Sequence, residues 1–316
     1  MRKVFSAVLT AVLVLSLTAC GTAVGEKMTL GTGDPNGMYY SYGEVLKQNL
    51  SSGGISVTTQ STEGSKANLL GIHSGEFQLG LAQSDVLSYA WQGRRAFDKE
   101  GRIDTFRAVA GLYPEPVQLI TKDPAIQKLE DLRGRTVAVG CPDSGVLFTV
   151  EDVLGAASMT LNDMEPRYLS FGDSAEALTK GEVDAVFLVA GVPTPVVTEL
   201  FRNIDVYLVP LDVVTIDRLV RSSSFYTKYS IPANSYANQE KPVETVAVKA
   251  VLIASDTASE DTVYELTKTL FARQKSIAEA HGMGAELTLE NAVTDLTVPF
   301  HPGAEKYYQE HGIHMK

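Results

Sequence analysis

The stretch KMTLGTGDPNGMYYSYGEVLKQNL (residues 27–50) joins a short apolar strand, a glycine-rich loop and an aromatic-rich helix. One face of the helix carries apolar residues at helical spacing, namely Tyr42, Val45, Leu46 and Leu50. Gly53-Gly54 predicts the end of this helix, because glycine is common at helix C-termini. A glycine-rich loop ahead of a helix directs free backbone N–H groups toward an anion. The stretch therefore predicts an α/β unit with an anion-binding loop, although a tight turn that binds nothing is a second interpretation.

The strand, loop and helix pattern continues along the rest of the chain. Early strands are predicted at 55–60 and 77–83, followed by helices that Ser65 and Ser84 would cap. A turn at Pro114-Glu115-Pro116 is predicted between two further strands. Later strands are predicted at 135–140, 166–171, 183–191, 204–211 and 243–255, and later helices at 144–157, 173–181 and 259–281. Alternating strands and helices favour parallel sheets, so two α/β lobes with a cleft between them are predicted.

The composition is that of an acidic globular protein. The chain has 27 Lys and Arg against 38 Asp and Glu, with a net charge of −11. Its length suits two domains, and its 44% hydrophobic content is enough for a buried core. No basic run is present to neutralise phosphates, so a nucleic-acid partner is not expected. The five histidines are scattered without metal-ligand spacing, so no metal site is predicted.

The N-terminus has the features of an export signal. Positive charge in residues 1–3 precedes an uncharged stretch that is long enough for a secretory h-region and short for a membrane span. Leu17-Thr18-Ala19-Cys20 resembles a bacterial lipobox, which implies a signal peptide over 1–19 and diacylation of Cys20. Residues 20–26 would then be a lipidated tether, and two acyl chains give stable membrane anchoring. Cleavage removes two basic residues, leaving 25 against 38 acidic and a net charge of −13. An ordinary signal peptide with a chance cysteine is the alternative.

Nucleotide-binding and enzymatic interpretations of the loops have little support. Gly31, Gly33 and Gly37 partly fit a dinucleotide loop, but the next strand ends without the acidic residue that binds a ribose. Cys141 has the chemistry of a nucleophile, yet no histidine stands at a spacing that suggests a base. A free cysteine at a strand end is typically a small buried hydrophobic residue, so Cys141 is predicted to serve packing. No catalytic residue and no cofactor are therefore predicted.

Five blocks of sequence carry a resemblance to a known family. They are GTGDPNGMYYSYGEVL (31–46), STEGSKANLLGIHSGEFQLGLAQSD (61–85), AVAGLYPEPVQLI (108–120), DLRGRTVAVGCPDSGV (131–146) and PFHPGAEKYYQEHG (299–312). In this order they resemble the TAXI family, the TRAP-associated extracytoplasmic solute receptors. The resemblance implies a type II periplasmic-binding-protein fold, α/β in class, whose lobes close on a small organic anion or amino acid, glutamate or 2-oxoglutarate among them. It also implies a TRAP-type membrane permease as partner. Asp34-Pro35-Asn36 departs from the more glycine- and threonine-rich run of the family.

On this basis the lobes and their ligand contacts are assigned. Lobe 1 comprises residues 27–120 and 248–316, lobe 2 comprises residues 121–247, and the protein is expected to be a monomer. Helix N-termini at the first glycine loop and at Ser144-Gly145 would hold a carboxylate from opposite lobes, and Glu115 would pair with a ligand ammonium. The predicted contacts are Thr32, Tyr39, Tyr40, Asn68, Gln83, Ser84, Tyr113 and Glu115 from lobe 1, and Ser144, Gly145, Val146 and Phe187 from lobe 2.

The predicted function is solute capture outside the cytoplasm for a TRAP-type permease, without enzymatic activity. One alternative is the substrate-binding lipoprotein of an ATP-driven ABC transporter. The other is a membrane-anchored hydrolase that uses Cys141 as nucleophile.

Overall fold

The computed structural model describes residues 27–313. Its strands are β1 (Met28–Gly31), β2 (Val57–Gln60), β3 (Leu79–Gln83), β4 (Phe106–Thr121), β5 (Thr136–Ala138), β6 (Glu165–Arg167), β7 (Ala185–Val189), β8 (Tyr207–Val209), β9 (Thr227–Ile231) and β10 (Val243–Ser255). Its helices are α1 (Met38–Ser52), α2 (Ser65–His73), α3 (Ser84–Gln92), α4 (Gly145–Ala156), α5 (Phe171–Lys180), α6 (Pro195–Asn203), α7 (Val213–Ser222), α8 (Glu260–Ala272), α9 (Gln274–Ala280), α10 (Leu289–Val293) and α11 (Pro302–Glu310). The predicted signal peptide, tether and lipidated Cys20 lie outside the described residues.

Two long strands, β4 and β10, form the centre of a ten-stranded mixed sheet. Eight of its strands lie in the order β2-β1-β3-β10-β4-β7-β5-β6, while β8 pairs with β4 and β9 pairs with β10 off this path. β1 is parallel to β2 and β3, and β5 is parallel to β6 and β7. β10 runs antiparallel to β3 and β4, and β4 runs antiparallel to β7. We call β1–β3 with α1–α3 the first half of the fold, and β5–β7 with α4–α6 the second half. The antiparallel strands β4 and β10 therefore connect two α/β halves.

The Pro114-Glu115-Pro116 segment was predicted to be a turn, and this prediction is wrong. β4 runs without a break from Phe106 to Thr121 and keeps Pro114 opposite Lys249 in the ladder with β10. A register shift lies beside Pro114, where the pairing moves from Lys249 to Val251. Proline lacks a backbone donor and is tolerated in a strand at such irregularities. The strand therefore crosses from one half of the fold to the other without turning back.

Three serines predicted as helix caps make other hydrogen bonds. Gly64 is the N-cap of α2 and Gln83 is that of α3, so Ser65 and Ser84 lie one residue inside the helices. Ser144 does occupy the N-cap of α4, but its side chain caps no N–H group. Its Oγ donates to the Cys141 carbonyl at 2.8 Å instead. These corrections share one cause, because each hydroxyl has a partner that the local sequence does not reveal.

Several helices differ from the sequence-based expectation. The helix expected over 259–281 is divided into α8 and α9 by Arg273, whose φ of −100° and ψ of 5° leave the helical region. The guanidinium of Arg273 donates to the Ser52 carbonyl at the end of α1. α6, α7 and α11 fall where no helix is predicted, although Asp212 caps α7 through its side chain and prolines stand at the starts of α6 and α11. Capping signals for these three helices are thus present in the sequence.

The apolar core consists of three clusters among the described residues. One contains α1, α8 and α11 residues against β1, β3 and β10, and another contains α5 and α6 residues against β7. The largest cluster joins the two halves, since Val86 and Leu87 of α3 share it with Val146 and Val150 of α4. Within residues 27–313 no helix has the length and apolar character needed to cross a membrane.

Candidate functional site

A cavity of about 310 Å³ lies between the two halves of the fold. Its wall contains Gly33, Asp34, Pro35, Gly37, Met38, Tyr39, Thr62, Glu63, Gly64, Ser65, Gln83 and Glu115 from the first half and from β4. It also contains Gly140, Cys141, Ser144, Gly145, Val146, Tyr168, Leu169, Ser170, Phe171, Asp173, Val189 and Ala190 from the second half. Apart from Glu115, which lies within β4, these residues lie at or after the carboxyl ends of parallel strands, where open α/β sheets bind their ligands. The volume suits a molecule of the size of an amino acid.

Five helices begin at the wall of this cavity, because their first residues or N-caps line it. They are α1 at Gly37, α2 at Gly64, α3 at Gln83, α4 at Ser144 and α5 at Ser170. No side chain caps α1, α2 or α4, whereas Ser170 Oγ accepts from the Asp173 N–H in α5. The first N–H groups of a helix lack intrahelical partners and carry partial positive charge. The cavity therefore offers backbone donors to an anionic group from both halves.

Tyr39 and Glu115 form a buried hydrogen-bonded pair in the wall. The Tyr39 hydroxyl donates to Glu115 Oε2 at 2.7 Å, joining α1 to β4. Burial raises the pKa of Glu115 well above its usual range, and the bond from Tyr39 opposes that rise only in part. Burial also raises the pKa of Tyr39, with the nearby Glu115 carboxyl adding to the effect. The Glu115 carboxyl thus holds its proton far more readily than an exposed glutamate.

Cys141 was predicted to be a buried packing residue, and this prediction is wrong. The residue is partly exposed and lines the cavity. Partial burial, together with the nearby carboxylates of Glu63, Asp34 and Asp173, raises the pKa of its thiol to about 11. The thiolate is the reactive form of cysteine, so this environment suppresses nucleophilic chemistry. The sequence did not reveal the exposure because the residue follows an apolar strand.

Direct contacts hold the two halves together beside the cavity. Asp85 Oδ2 on α3 accepts from Thr149 Oγ1 on α4 at 2.7 Å, and both residues are fully buried. Lys66 Nζ on α2 lies 3.5 Å from Asp143 Oδ1, in the loop before α4. Asp152 on α4 accepts from Tyr89 and pairs with Arg95. The structure therefore has its halves closed over the cavity.

The structure divides the predicted contact residues into two groups of equal size. Those on the cavity wall are Tyr39, Gln83, Glu115, Ser144, Gly145 and Val146. Those that do not line the cavity are Thr32, Tyr40, Asn68, Ser84, Tyr113 and Phe187.

Most of the residues away from the wall make structural contacts. Asn68 Nδ2 donates to the carbonyls of Thr32 and Leu81, each at 2.7 Å, and so joins the loops after β1 and β3. Ser84 Oγ accepts from the Lys249 N–H at 3.0 Å. Tyr113 and Phe187 are fully buried in apolar clusters. Some polar residues at strand ends therefore line the cavity, whereas others form hydrogen bonds with neighbouring backbone groups.

Several wall residues were missed by the sequence reasoning. Glu63, Tyr168, Phe171 and Asp173 line the cavity and were not predicted. The start of α5 had a signal in the sequence, because Ser170 followed three residues later by Asp173 is a helix-start pattern. It was missed because the predicted strand extended to residue 171. Glu63 has no comparable signal, because an acidic residue in a loop is ordinarily solvent-exposed.

Comparison with known proteins places the chain in a family. The sequence profile described as the NMT1-like family matches residues 30–312. The chain belongs to the NMT1-like family. This NMT1-like chain also resembles solved structures at low sequence identity, and such a likeness establishes the fold.

A protein of Bordetella bronchiseptica RB50 is 17% identical, with a TM-score of 0.55 over 90% of this chain and 82% of its own. The alkanesulfonate-binding protein SsuA from Xanthomonas axonopodis pv. citri, bound to MOPS, is 16% identical with a TM-score of 0.50. That match covers 90% of this chain and 83% of SsuA. The amino acid ABC transporter substrate-binding protein AbpA from Streptococcus pneumoniae, bound to L-arginine, is 14% identical with a TM-score of 0.50 over 83% and 97% of the two chains. The predicted α/β, type II periplasmic-binding-protein-like fold is confirmed.

Proposed function

We propose that this NMT1-like chain is an extracytoplasmic solute-binding receptor that captures a small carboxylate or amino acid and performs no chemistry on it. Glutamate and 2-oxoglutarate, which the resemblance to the TAXI family implies, are two of the candidate ligands to be tested. We further propose that Cys20 carries the lipid anchor and that a TRAP-type permease, driven by an ion gradient, receives the solute.

One observation carries the proposal, namely an amino-acid-sized cavity enclosed by both halves of the fold. Uncapped N-termini of α1 and α4 reach it from opposite sides, and β4 and β10 connect the halves. Helix N-termini stabilise an anion by about 0.3–1 kcal/mol each. Closure around a ligand between two such halves is a common mode of solute capture. The elevated thiol pKa of Cys141 speaks against the hydrolase alternative.

A thermal-shift screen of the mature protein against amino acids and small carboxylates tests the binding role. A ligand at a hundredfold excess over its Kd stabilises the folded state by about 2.7 kcal/mol, which raises the melting temperature measurably. We expect at least one member of the screen to do so, with calorimetry confirming one site. Sugars and nucleotides serve as controls. A melting temperature unchanged by every amino acid and carboxylate would overturn the proposal.

The permease and the anchor need separate tests. Solute uptake into vesicles that contain the co-encoded permease should depend on an ion gradient for a TRAP partner and on ATP for an ABC partner. Cys20→Ser should release the protein from the membrane fraction. Membrane association that persists in Cys20→Ser would refute lipidation at this residue.

A further inference from the structure

The wall of the cavity carries acidic side chains without a balancing cation. Asp34, Glu63 and Glu115 come from the first half and β4, and Asp173 comes from the second half. No Lys, Arg or His belongs to the described residues of this wall. None of the four carboxyl groups takes part in an ion pair within residues 27–313. The side chains therefore favour a positively charged guest, whereas the helix N-termini favour a carboxylate.

Cys141 shows that this negative charge is felt inside the cavity. Its thiol pKa is raised by partial burial first and then by Glu63, Asp34, Asp173 and Asp143 in that order. A dianion in the same place would be repelled by the same carboxylates, since like charges disfavour each other. The helix N-termini alone would have to stabilise both charges of the dianion. A ligand with one carboxylate and one ammonium meets a partner for each charge.

Glu115 is the carboxyl best placed to bind an ammonium. It is 2% exposed and lines the cavity, and its Oε2 is fixed by the Tyr39 hydroxyl. Gln83, also 2% exposed, lines the same wall, and its Nε2 is buried without a hydrogen-bond partner. An unpaired buried donor costs about 1–3 kcal/mol, so a ligand acceptor beside Gln83 would remove a real penalty. Together these groups offer a charged acceptor and an unsatisfied donor to one small molecule.

We propose, building on the solute-binding role above, that the solute is an organic ammonium compound with at most one carboxylate. Its ammonium binds Glu115, and its carboxylate lies at the N-terminal ends of α1 and α4. Neutral or basic amino acids belong to this class, whereas 2-oxo acids and dicarboxylates do not. The free protein holds a proton on Glu115 and releases it to the buffer when the ammonium binds.

The titratable groups around Glu115 determine whether a measured proton release can be assigned to Glu115. Tyr39 of α1 donates to it, Tyr113 of β4 lies near it, and Asp85 of α3 raises its pKa by charge. Lys249 of the adjacent β10 directs its ammonium away, to Asn291 and Thr294. Only Glu115 and Asp85 in this set titrate between acidic and mildly alkaline pH. Affinity for an ammonium ligand should therefore rise with pH, because deprotonated Glu115 is the binding form.

Calorimetry with five probes tests the class of ligand. L-glutamine and L-leucine are compared with L-glutamate, 2-oxoglutarate and 4-methyl-2-oxopentanoate between pH 5.5 and 8. We expect L-leucine to bind at least tenfold more tightly than 4-methyl-2-oxopentanoate, its oxo acid, or L-glutamine to bind at least tenfold more tightly than the dicarboxylates L-glutamate and 2-oxoglutarate, with affinity that rises with pH. Titrations in buffers of different ionisation enthalpy should show proton release on binding. An oxo acid that binds as tightly as its amino acid would overturn the inference while leaving the receptor role intact, and an absence of binding by all five would count against both.

Two substitutions identify the group responsible. Glu115→Gln keeps the size of the side chain and an acceptor for Tyr39, and should remove both the proton release and the preference for the amino acid. Glu130→Gln, on the exposed surface after β4, is the matched control and should change neither. Asp85→Asn should retain the proton release. If Glu115→Gln still releases a proton on binding and Asp85→Asn does not, the assignment of the proton to Glu115 is wrong. Circular dichroism establishes that each variant is folded.

Discussion

The buried carboxyl of Asp85 should make the stability of this protein fall as pH rises. Asp85 is fully buried on α3, where Oδ2 accepts from Thr149 Oγ1 and Oδ1 accepts from the Val86 N–H at 2.8 Å. Burial raises its pKa from 3.8 to about 7, with Asp152 adding to the rise and the Thr149 bond opposing it. Because the folded state holds this proton more tightly than the unfolded state, folding is favoured at low pH. That advantage is complete below about pH 4 and is lost as pH rises through 7.

The magnitude follows from the size of the pKa change. One pKa unit corresponds to about 1.4 kcal/mol, so ionised Asp85 costs about 4 kcal/mol above pH 7. Roughly 2 kcal/mol of this is already present at pH 5, because the unfolded carboxyl is ionised there. Asp85→Asn removes the charge and can still donate to Thr149 Oγ1, whose hydroxyl also reaches the Gly145 carbonyl at 3.1 Å. The amide has one unpaired hydrogen, but that cost does not depend on pH.

The quantity to measure is therefore a difference between two pH values. Urea unfolding, followed by the fluorescence of Trp91, the single tryptophan, gives the free energy of unfolding of both proteins at pH 5 and pH 8. The stability of Asp85→Asn relative to wild type should increase by about 2–3 kcal/mol between these values. Asp205→Asn, an exposed aspartate, is the control and should show no such trend. A relative stability that changes by less than about 0.5 kcal/mol would refute the buried-carboxyl account.

Three further outcomes are expected at the α4 end of the cavity. Ser144→Ala should lower stability by roughly 1 kcal/mol, because its hydroxyl donates to the Cys141 carbonyl. Ligand affinity should stay within about threefold, because the N–H groups of the helix remain. A tenfold loss of affinity in calorimetry would show that the hydroxyl contacts the ligand. Gly145→Ala should weaken binding at least about tenfold, since a Cβ there overlaps the Gln83 side chain across the closed halves. Gly155→Ala on the same helix, where a Cβ meets open space, is the control and should leave affinity unchanged. Equal affinities of the two variants would mean that the halves need not close. Alkylation of Cys141 by iodoacetamide at pH 8 should be roughly 100-fold slower than that of a free thiol, because its pKa is raised to about 11. A rate near that of free cysteine would contradict the inference that the cavity wall has a negative potential.

The sequence by itself determined the class of fold and the places where ligands meet it. Strand and helix periods are local properties of the chain, so the strand–loop–helix units at 27–50 and 135–157 could be read from side-chain spacing. The loops at the carboxyl ends of parallel strands share one edge of a sheet, which made Tyr39 and the Ser144-Gly145 turn predictable as wall residues. Glycine at Gly53 ended α1 as expected.

Only the tertiary structure decided which polar groups face the cavity and with what charge. Ser65 and Ser84 were expected to cap helices, yet their hydroxyls accept from the backbone of Gln83 and of Lys249, the latter 165 residues away in the chain. The wall combines Glu63 and Asp173 with Glu115, whose pKa depends on burial contributed by elements from the whole chain. Local propensity cannot encode such partners, because desolvation and hydrogen bonding depend on what distant segments bring to the same place.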